Sequence, residues 1–388
     1  MSKLPKKLNN KLEKRQLENA FRQLGKSNNL IDFSSNDYLG FSKSETIFNT
    51  THEFLKTHNC KHNGATGSRL LSGNHKLFKI VENQISNFHH SETALIFNSG
   101  YDANLGFFSC VPQRNDIVLF DEFCHASIRD GITMSNAKAY KFKHNSIEAI
   151  ETLILRHSEL VSESHQDVYI VTESVFSMDG DSPDLSQMSQ LSKKYNANLV
   201  VDEAHALGVF GTKGNGLINE LKIENSVFAR IITFSKALGA HGAAILCHQD
   251  LKDYLINFSK PFIYTTALPP HSLATIKISY DVLVALSTVE VSHIKQLHHN
   301  INFFKSELNR LNLKELFIGS HSAIHCCIIS RNENVKHIAQ ELQNHGFDVK
   351  AILSPTVPKS KERLRWCLHS YNSSEEITKV LELLATFV

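Results

Sequence analysis

Residues 199–246 read LVVDEAHALGVFGTKGNGLINELKIENSVFARIITFSKALGAHGAAIL. Three short apolar runs stand in this stretch, at 199–201, 231–233 and 243–246. Strands buried on both faces of a largely parallel sheet read this way, because helices cover both faces and no polar side remains. Runs of the same kind recur at 94–97, 117–120 and 168–172. The stretches between them are long enough for helical crossovers, as successive βαβ units require. The pattern predicts an α/β domain over residues 46–285, built on a mostly parallel sheet.

Outside that span the periodicity changes. Residues 1–45 form an N-terminal segment, read as a helix with Leu12, Leu17, Phe21 and Leu24 as its apolar stripe, then an extended piece at 31–33. A long amphipathic helix carries Ile294, Leu297, Ile301, Phe304, Leu308 and Leu311 at spacings of three and four. It leads into a smaller α/β domain over residues 286–388. Strands are expected at 322–329, 347–352 and 364–368. Between the first two, Val335, Ile338, Ala339 and Leu342 mark a helix ended by Gly346. The last helix opens with Ser373-x-x-Glu376, the pattern of a capping box.

Composition narrows the function classes. The chain has 388 residues, 41% hydrophobic and 21% charged, which excludes a disordered or fibrous protein. Lys plus Arg number 41 against 39 for Asp plus Glu, a net charge of +2 that offers no general pull towards nucleic acid or membrane. No apolar run approaches the ~18 residues of a membrane span. The basic N-terminus lacks a signal peptide's apolar core. Seven scattered cysteines without a CxxC pair read as free thiols in a reducing cytoplasm. The 22 histidines show no metal-ligand spacing, so no metal site is expected. Residues 179–184, DGDSPD, resemble part of a calcium loop, but the glycine is misplaced and no ligand Glu follows at the required distance.

In open parallel sheets, ligands sit at the carboxyl ends of the strands. After the run at 199–201 come Asp202 and, three residues on, His205. An ionised carboxylate there would keep a heteroaromatic nitrogen protonated; taken alone, Asp202 also reads as a turn residue capping the next helix. After 231–233 comes Lys236 in a loop of small residues. A charge there is expensive unless paired or converted to a Schiff base, though an isolated reading as a solvated loop lysine is as good. After 94–97, a turn with Gly100 opens a helix whose free N–H groups suit a phosphate. His125 follows the run at 117–120, placed to stack on a flat ring. Ser177 follows the run at 168–172, with a hydroxyl suited to a phenolic oxygen or a phosphate.

Together these segments resemble fold-type I enzymes that use pyridoxal 5′-phosphate (PLP), and most closely the α-oxoamine synthases. The resemblance runs from about residue 17 to the C-terminus. It is carried by FSSNDYLGFS (33–42), GATGSRLLSGNH (64–75), FNSGYDANLG (97–106), TESVFSMDGDSPDL (172–185), VDEAHALGVFG (201–211), TFSKALGAHGAA (233–244) and PTVP (355–358). It implies a large PLP-binding domain with a mostly parallel seven-stranded sheet and a smaller C-terminal domain. The implied reaction is the decarboxylative condensation of an amino acid with an acyl-CoA. Within the family the likeness is greatest to members that join L-alanine to a pimeloyl carrier, giving 8-amino-7-oxononanoate, CoA and CO2 in biotin biosynthesis.

The resemblance also implies roles. Lys236 would hold PLP and act as the base for proton transfer. Asp202 and His205 would bind the pyridine nitrogen and the phenolic oxygen, and His125 would stack on the ring. Gly100 and Tyr101 would hold the phosphate through backbone groups, with Ser177 and Thr233 adding hydroxyl contacts. Thr265 and Thr266 would reach the phosphate of the neighbouring subunit's cofactor, which requires a homodimer with shared active sites. Arg22 and Thr356 would meet the acyl substrate, Asn36 the amino acid, and Arg365 a substrate carboxylate. Arg363, two residues before it, reads as a surface or interdomain ion-pair residue. One position departs from the family pattern: Leu353 stands where an arginine is usual, three residues before the threonine of PTVP. The rival readings are a sister synthase using glycine or serine with another acyl-CoA, and a catalytically dead partner subunit.

Overall fold

The computed structural model describes residues 4–25, 29–161, 166–287, 289 and 292–388. In chain order the strands are β1 (Ile31–Asp32), β2 (Thr93–Phe97), β3 (Ile117–Asp121), β4 (Lys138–Phe142), β5 (Val168–Glu173), β6 (Asn198–Asp202), β7 (Ala229–Thr233), β8 (Ala243–Cys247), β9 (Ile324–Ile328), β10 (Phe347–Asp348), β11 (Lys350–Ile352) and β12 (Arg363–Cys367). A seven-stranded sheet has the order β2-β8-β7-β6-β5-β3-β4. The pairs β3–β4, β3–β5, β5–β6 and β6–β7 are parallel. β8 alone runs antiparallel to both of its neighbours. The mostly parallel sheet expected from the apolar runs is therefore present.

Its inner strands are buried at nearly every position. β5, β7 and β8 have no exposed position, which suits their β-branched and aliphatic composition. β4 was invisible to the search for apolar runs. It is the edge strand, KAYKF, exposed at most of its positions, and its lysines discourage pairing with another chain.

The chain divides into two compact units. The larger comprises Asn36–Ser177 and Asp181–Gln296; the smaller comprises Met1–Ser35, Met178–Gly180 and Leu297–Val388. The division falls inside the helix His293–Arg310, whose Ile294, Leu297, Ile301, Phe304 and Leu308 are all buried, as their spacing predicts.

In the smaller unit β11, β12 and β9 form an antiparallel sheet, and β1 pairs in parallel with β10. The strand expected over 347–352 is interrupted because its two halves pair in different sheets: β10 with β1, β11 with β12. The fully buried Trp366 lies 5.3 Å from Phe317, which in turn packs edge-on against Phe304. Gly180 of the calcium-like DGD sequence has a packing role. Its φ is +78°, and a Cβ would lie 2.1 Å from the Ile324 carbonyl oxygen, so no side chain fits. The capping box at Ser373 and Glu376 forms as expected.

The N-terminal stripe is a correction. The helix spans Lys6–Leu17, so Phe21 and Leu24 lie beyond it, and none of its residues is buried. Leu17 is 87% and Leu24 98% exposed. With charged and amide side chains filling the other helix positions, no tertiary face forms to bury those leucines.

Candidate active site

The polar groups of the larger unit converge at the carboxyl ends of β3, β5, β6 and β7. β6 ends in Asp202, which is only 5% exposed. Its Oδ1 accepts the Ala204 N–H at 2.9 Å, and its Oδ2 accepts from Asn104 Nδ2 at 2.8 Å. Asn104 lies within the helix Gly100–Phe108, which follows β2 and is capped by Ser99 through the Asp102 N–H. The second N–H of the same amide donates to Ser127 Oγ at 3.0 Å.

His125 is the N-cap of the helix Ala126–Met134, and its Nδ1 accepts the Ser127 N–H. The Ser127 hydroxyl lies 2.8 Å from that same nitrogen. The Ser127 that meets the Nδ1 edge of the ring is fully buried. His125 also donates its backbone N–H to Glu173 Oε1 at 2.6 Å. Glu173 sits beside Asp202 in the register of β5 and β6. Burial, and then the charge of Asp202, push the Glu173 carboxyl well above its usual range. The His125 imidazole is pushed down by burial and by the charges of Lys236 and Arg129, against the pull of Asp202. His125, Asp202 and Lys236 thus act within one electrostatic neighbourhood.

Lys236 is half-buried in the turn after β7. That turn is shaped by Thr233, whose Oγ1 lies 3.0 Å from Ser235 Oγ and donates to the Gly242 carbonyl at 3.2 Å. It closes at Gly239, where φ is +57° and a Cβ would lie 2.2 Å from the Ser42 nitrogen. His205, buried at the end of the Asp202 turn, has Nδ1 at 2.7 Å from the Tyr38 hydroxyl. Tyr38 in turn donates to Asn36 Oδ1 at 3.3 Å, so Asn36 and His205 are joined through it. Tyr101 is 45% exposed, and its hydroxyl donates to Asp130. Ser177 is half-buried, four residues after the end of β5. Thr265 and Thr266 are held by Asn98 of their own chain, whose Nδ2 donates to Thr265 Oγ1 at 3.0 Å and to the Thr266 carbonyl at 2.7 Å.

The remaining sequence-predicted site residues lie in the smaller unit. Arg22 donates to Thr356 Oγ1 at 3.3 Å, which brings the two acyl candidates together. Arg365 is buried on β12, paired in register with Cys326. Arg363 is 3% exposed, ion-paired to Asp179 and donating to the Met178 carbonyl. It is an internal ion pair of this unit and not a surface one. Sequence reading passed over Asn104, Ser127, Tyr38 and Asn98. Asn104 carries a partial signal in the sequence, since it stands four residues after Gly100 and so on the same helix face; that it is buried, at 2% exposed, is seen only in the structure.

Residues 28–384 match the family model for aminotransferase class I and II. The chain belongs to the aminotransferase class I and II family. Among relatives in this family, the 8-amino-7-oxononanoate synthase of Emericella nidulans is 40% identical over 369 residues, covering 92% of this chain and 89% of that protein. A solved 8-amino-7-oxononanoate synthase from Francisella tularensis superimposes with a TM-score of 0.74 at 28% identity, over 92% and 97% of the two chains. A structure of SPT with PLP superimposes with a TM-score of 0.86 at 25% identity, over 98% and 96%. The fold-type I architecture expected from the sequence is the one this family member adopts. Among the described residues, no helix is long and apolar enough to cross a membrane.

Proposed function

We propose that this chain is a PLP-dependent acyltransferase that joins L-alanine to a pimeloyl thioester. It releases the thiol carrier and CO2 and yields 8-amino-7-oxononanoate for biotin synthesis. The observation that carries the reading is the buried Asp202 carboxylate, with His125 and Lys236 close enough to share its field, at the carboxyl end of a mostly parallel sheet. The 40% likeness to the Emericella synthase supports the choice of substrates.

The donor set fits PLP. Each Asp202 oxygen takes one N–H from the chain, so lone pairs remain for a pyridinium N–H. The first N–H groups of the helix Gly100–Phe108 have no intrahelical partner, and its positive end favours a phosphate. A Cβ on Gly100 would lie in ordinary contact with Thr233, 3.6 Å from its Cβ and 3.7 Å from its Oγ1, so the helix start and the Thr233 hydroxyl lie side by side. PLP, when bound, would withdraw the electron pair left at the amino acid's Cα. Lys236 Nζ would anchor the group and serve as the base for the Cα proton. Asp202 would keep a proton on the pyridine nitrogen, His205 would meet the phenolic oxygen, and His125 would face the ring. Ser177, Thr233, Gly100 and Tyr101 would complete the hold. Arg22 and Thr356 would take the acyl chain, Asn36 the amino acid, and Arg365 a carboxylate. Thr265 and Thr266 would serve the partner subunit's cofactor in a homodimer.

The test is a panel of L-alanine, glycine and L-serine, each with pimeloyl-CoA and with pimeloyl acyl-carrier protein, read as thiol and CO2 release. Release with alanine alone is expected. Release with serine or glycine alone would overturn the substrate assignment in favour of a sister synthase, a reading the SPT likeness keeps in play. A dead partner subunit would keep no protein-bound PLP band once free cofactor is removed by desalting; the intact Lys236, Asp202, His205 and His125 argue against it.

A further inference from the structure

We infer that Asn104 and Ser127 form a directed hydrogen-bond relay from Asp202 to His125, which fixes His125 as a neutral imidazole with its proton on Nε2. The direction follows from which atoms can donate. Asp202 Oδ2, as a carboxylate oxygen, can only accept, so the Asn104 atom facing it at 2.8 Å is the NH2 group. This settles the orientation of the amide. Its other N–H points at Ser127 Oγ, 3.0 Å away. The amide oxygen, Oδ1, is buried and has no hydrogen-bond partner among the described residues. Turning the amide over would set that oxygen against the Asp202 carboxylate, acceptor against acceptor, whatever the Ser127 hydroxyl did. An orphaned acceptor of this kind is expensive, and it persists here because the two donated bonds hold it.

The Ser127 hydroxyl, which accepts the Asn104 N–H, keeps its own hydrogen available for the ring nitrogen His125 Nδ1, 2.8 Å away. The Ser127 backbone N–H points at the same nitrogen at 3.3 Å. That backbone N–H makes Nδ1 an acceptor, so the hydroxyl meets it as a donor and the neutral ring carries its proton on Nε2. Protonating Nδ1 would turn the Ser127 hydroxyl hydrogen away from the ring and set Nδ1–H against the Ser127 backbone N–H, breaking the helix cap. Other charges also face His125. Asp202 comes from β6, Lys236 from the turn after β7, and Arg129 and Asp130 from the helix His125 caps. From β5, Glu173 takes the His125 backbone N–H. The net push on the imidazole is downward, in the direction the relay also favours.

Asn104 and Ser127 are therefore positioning residues. They hold the Asp202 carboxylate and present an uncharged His125 ring from one rigid helix and one helix start. Their bearing on catalysis rests on the proposed PLP site; the tautomer does not. The experiment is long-range ¹H–¹⁵N NMR of the His125 ring in the full chain, with and without PLP, assigned by His125→Gln. The wild type is expected to show a bare Nδ1 and a protonated Nε2 across neutral pH. Ser127→Ala should raise the His125 midpoint by about one pH unit, and Ser127→Thr, which keeps the hydroxyl, should restore it. Asn104→Ala should move it in the same direction. With PLP bound, Ser127→Ala should also shift the pH dependence of the cofactor's visible band. An Nδ1–H tautomer in the wild type overturns the inference, even if no variant folds. So does an unchanged midpoint in Ser127→Ala. Failure to bind PLP would overturn the functional reading and leave the NMR result standing.

Discussion

Lys236→Ala removes the amine that would both anchor PLP and take the Cα proton. Turnover is expected to fall by several orders of magnitude, because covalent catalysis and proton transfer are lost together. The check is borohydride reduction followed by peptide mapping. The wild type should carry the cofactor on Lys236, and an adduct at another lysine with normal turnover would refute the assignment. The two arginines of β12 separate differently. Arg365→Lys should weaken L-alanine dependence, since lysine cannot reproduce a bidentate hold on a carboxylate. Arg363→Ala should instead unfold more readily, by about 3–5 kcal/mol, because it strands Asp179 without its buried partner. Urea melts and alanine-dependent kinetics on both variants distinguish the roles. The placement of Lys236, Asp202 and His125 after buried strands was legible, because apolar runs mark strand ends and strand ends mark ligand sites. The bond between Asn104 and Asp202 was not, since it joins residues far apart in sequence and depends on a helix rotation that periodicity does not report. Arg363 reads as a surface or interdomain ion-pair residue, with its burial and partner unseen, for a related reason: the Asp179 that pairs with it lies nearly half the chain away.

At the scale of elements, a clamp around His144 ties the end of β3 to the turn after β4 and to the loop that carries Asp181. His144 Nδ1 lies 2.9 Å from Asp121 Oδ1, and Nε2 lies 2.9 Å from Asp181 Oδ2. Phe123 and Phe176 pack on the ring, and the Asn145 backbone N–H donates to Asp121 Oδ2 at 2.8 Å. Burial pushes the imidazole down, but the bonds and charges of the two carboxylates outweigh it and raise it from 6.5 to about 10. An unfolded chain releases this proton at its ordinary value. The stabilisation is therefore complete below about pH 6.5, declines above it, and is lost as pH rises through about 10. Asp181→Asn should lower stability at neutral pH by about 3 kcal/mol, and the gap from wild type should narrow as pH rises. Urea unfolding of both proteins across that interval checks it; a gap independent of pH would rule the clamp out. No spacing rule points to His144, because its two carboxylates come from β3 and from a loop after β5. The edge strand β4 was hidden for a different reason. Its exposed lysines break the apolar run by which the central strands were found, although its pairing with β3 is as regular as theirs.

For the whole molecule the open question is whether one chain suffices for a site. Large apolar side chains are left on the surface of the larger unit: Tyr264 is 81% exposed, and Phe48, Leu71, Met134 and Phe258 are each more than half exposed. Tyr264 directly precedes Thr265 and Thr266, so part of this apolar surface adjoins the segment expected to cross between subunits. Asn98 already fixes that segment within its own chain, which means a partner would meet a preformed surface. Burying such side chains favours a dimer, and a two-fold axis would make each chain give to the other what it receives. Light scattering should show a dimer. Complementation is the sharper test. Chains carrying Thr266→Ala are mixed with chains carrying Lys236→Ala and allowed to exchange. If the threonine serves the partner's site, each heterodimer holds one site with both groups intact and one with neither. Random exchange makes half of the dimers mixed, so activity should recover to about a quarter of wild type. If each threonine serves its own chain, the site that keeps Lys236 still lacks Thr266, and mixing recovers nothing beyond the Thr266→Ala chains alone. Mixed dimers with no gain would place Thr266 in its own chain's site and remove the reason for sharing, even though the dimer itself formed.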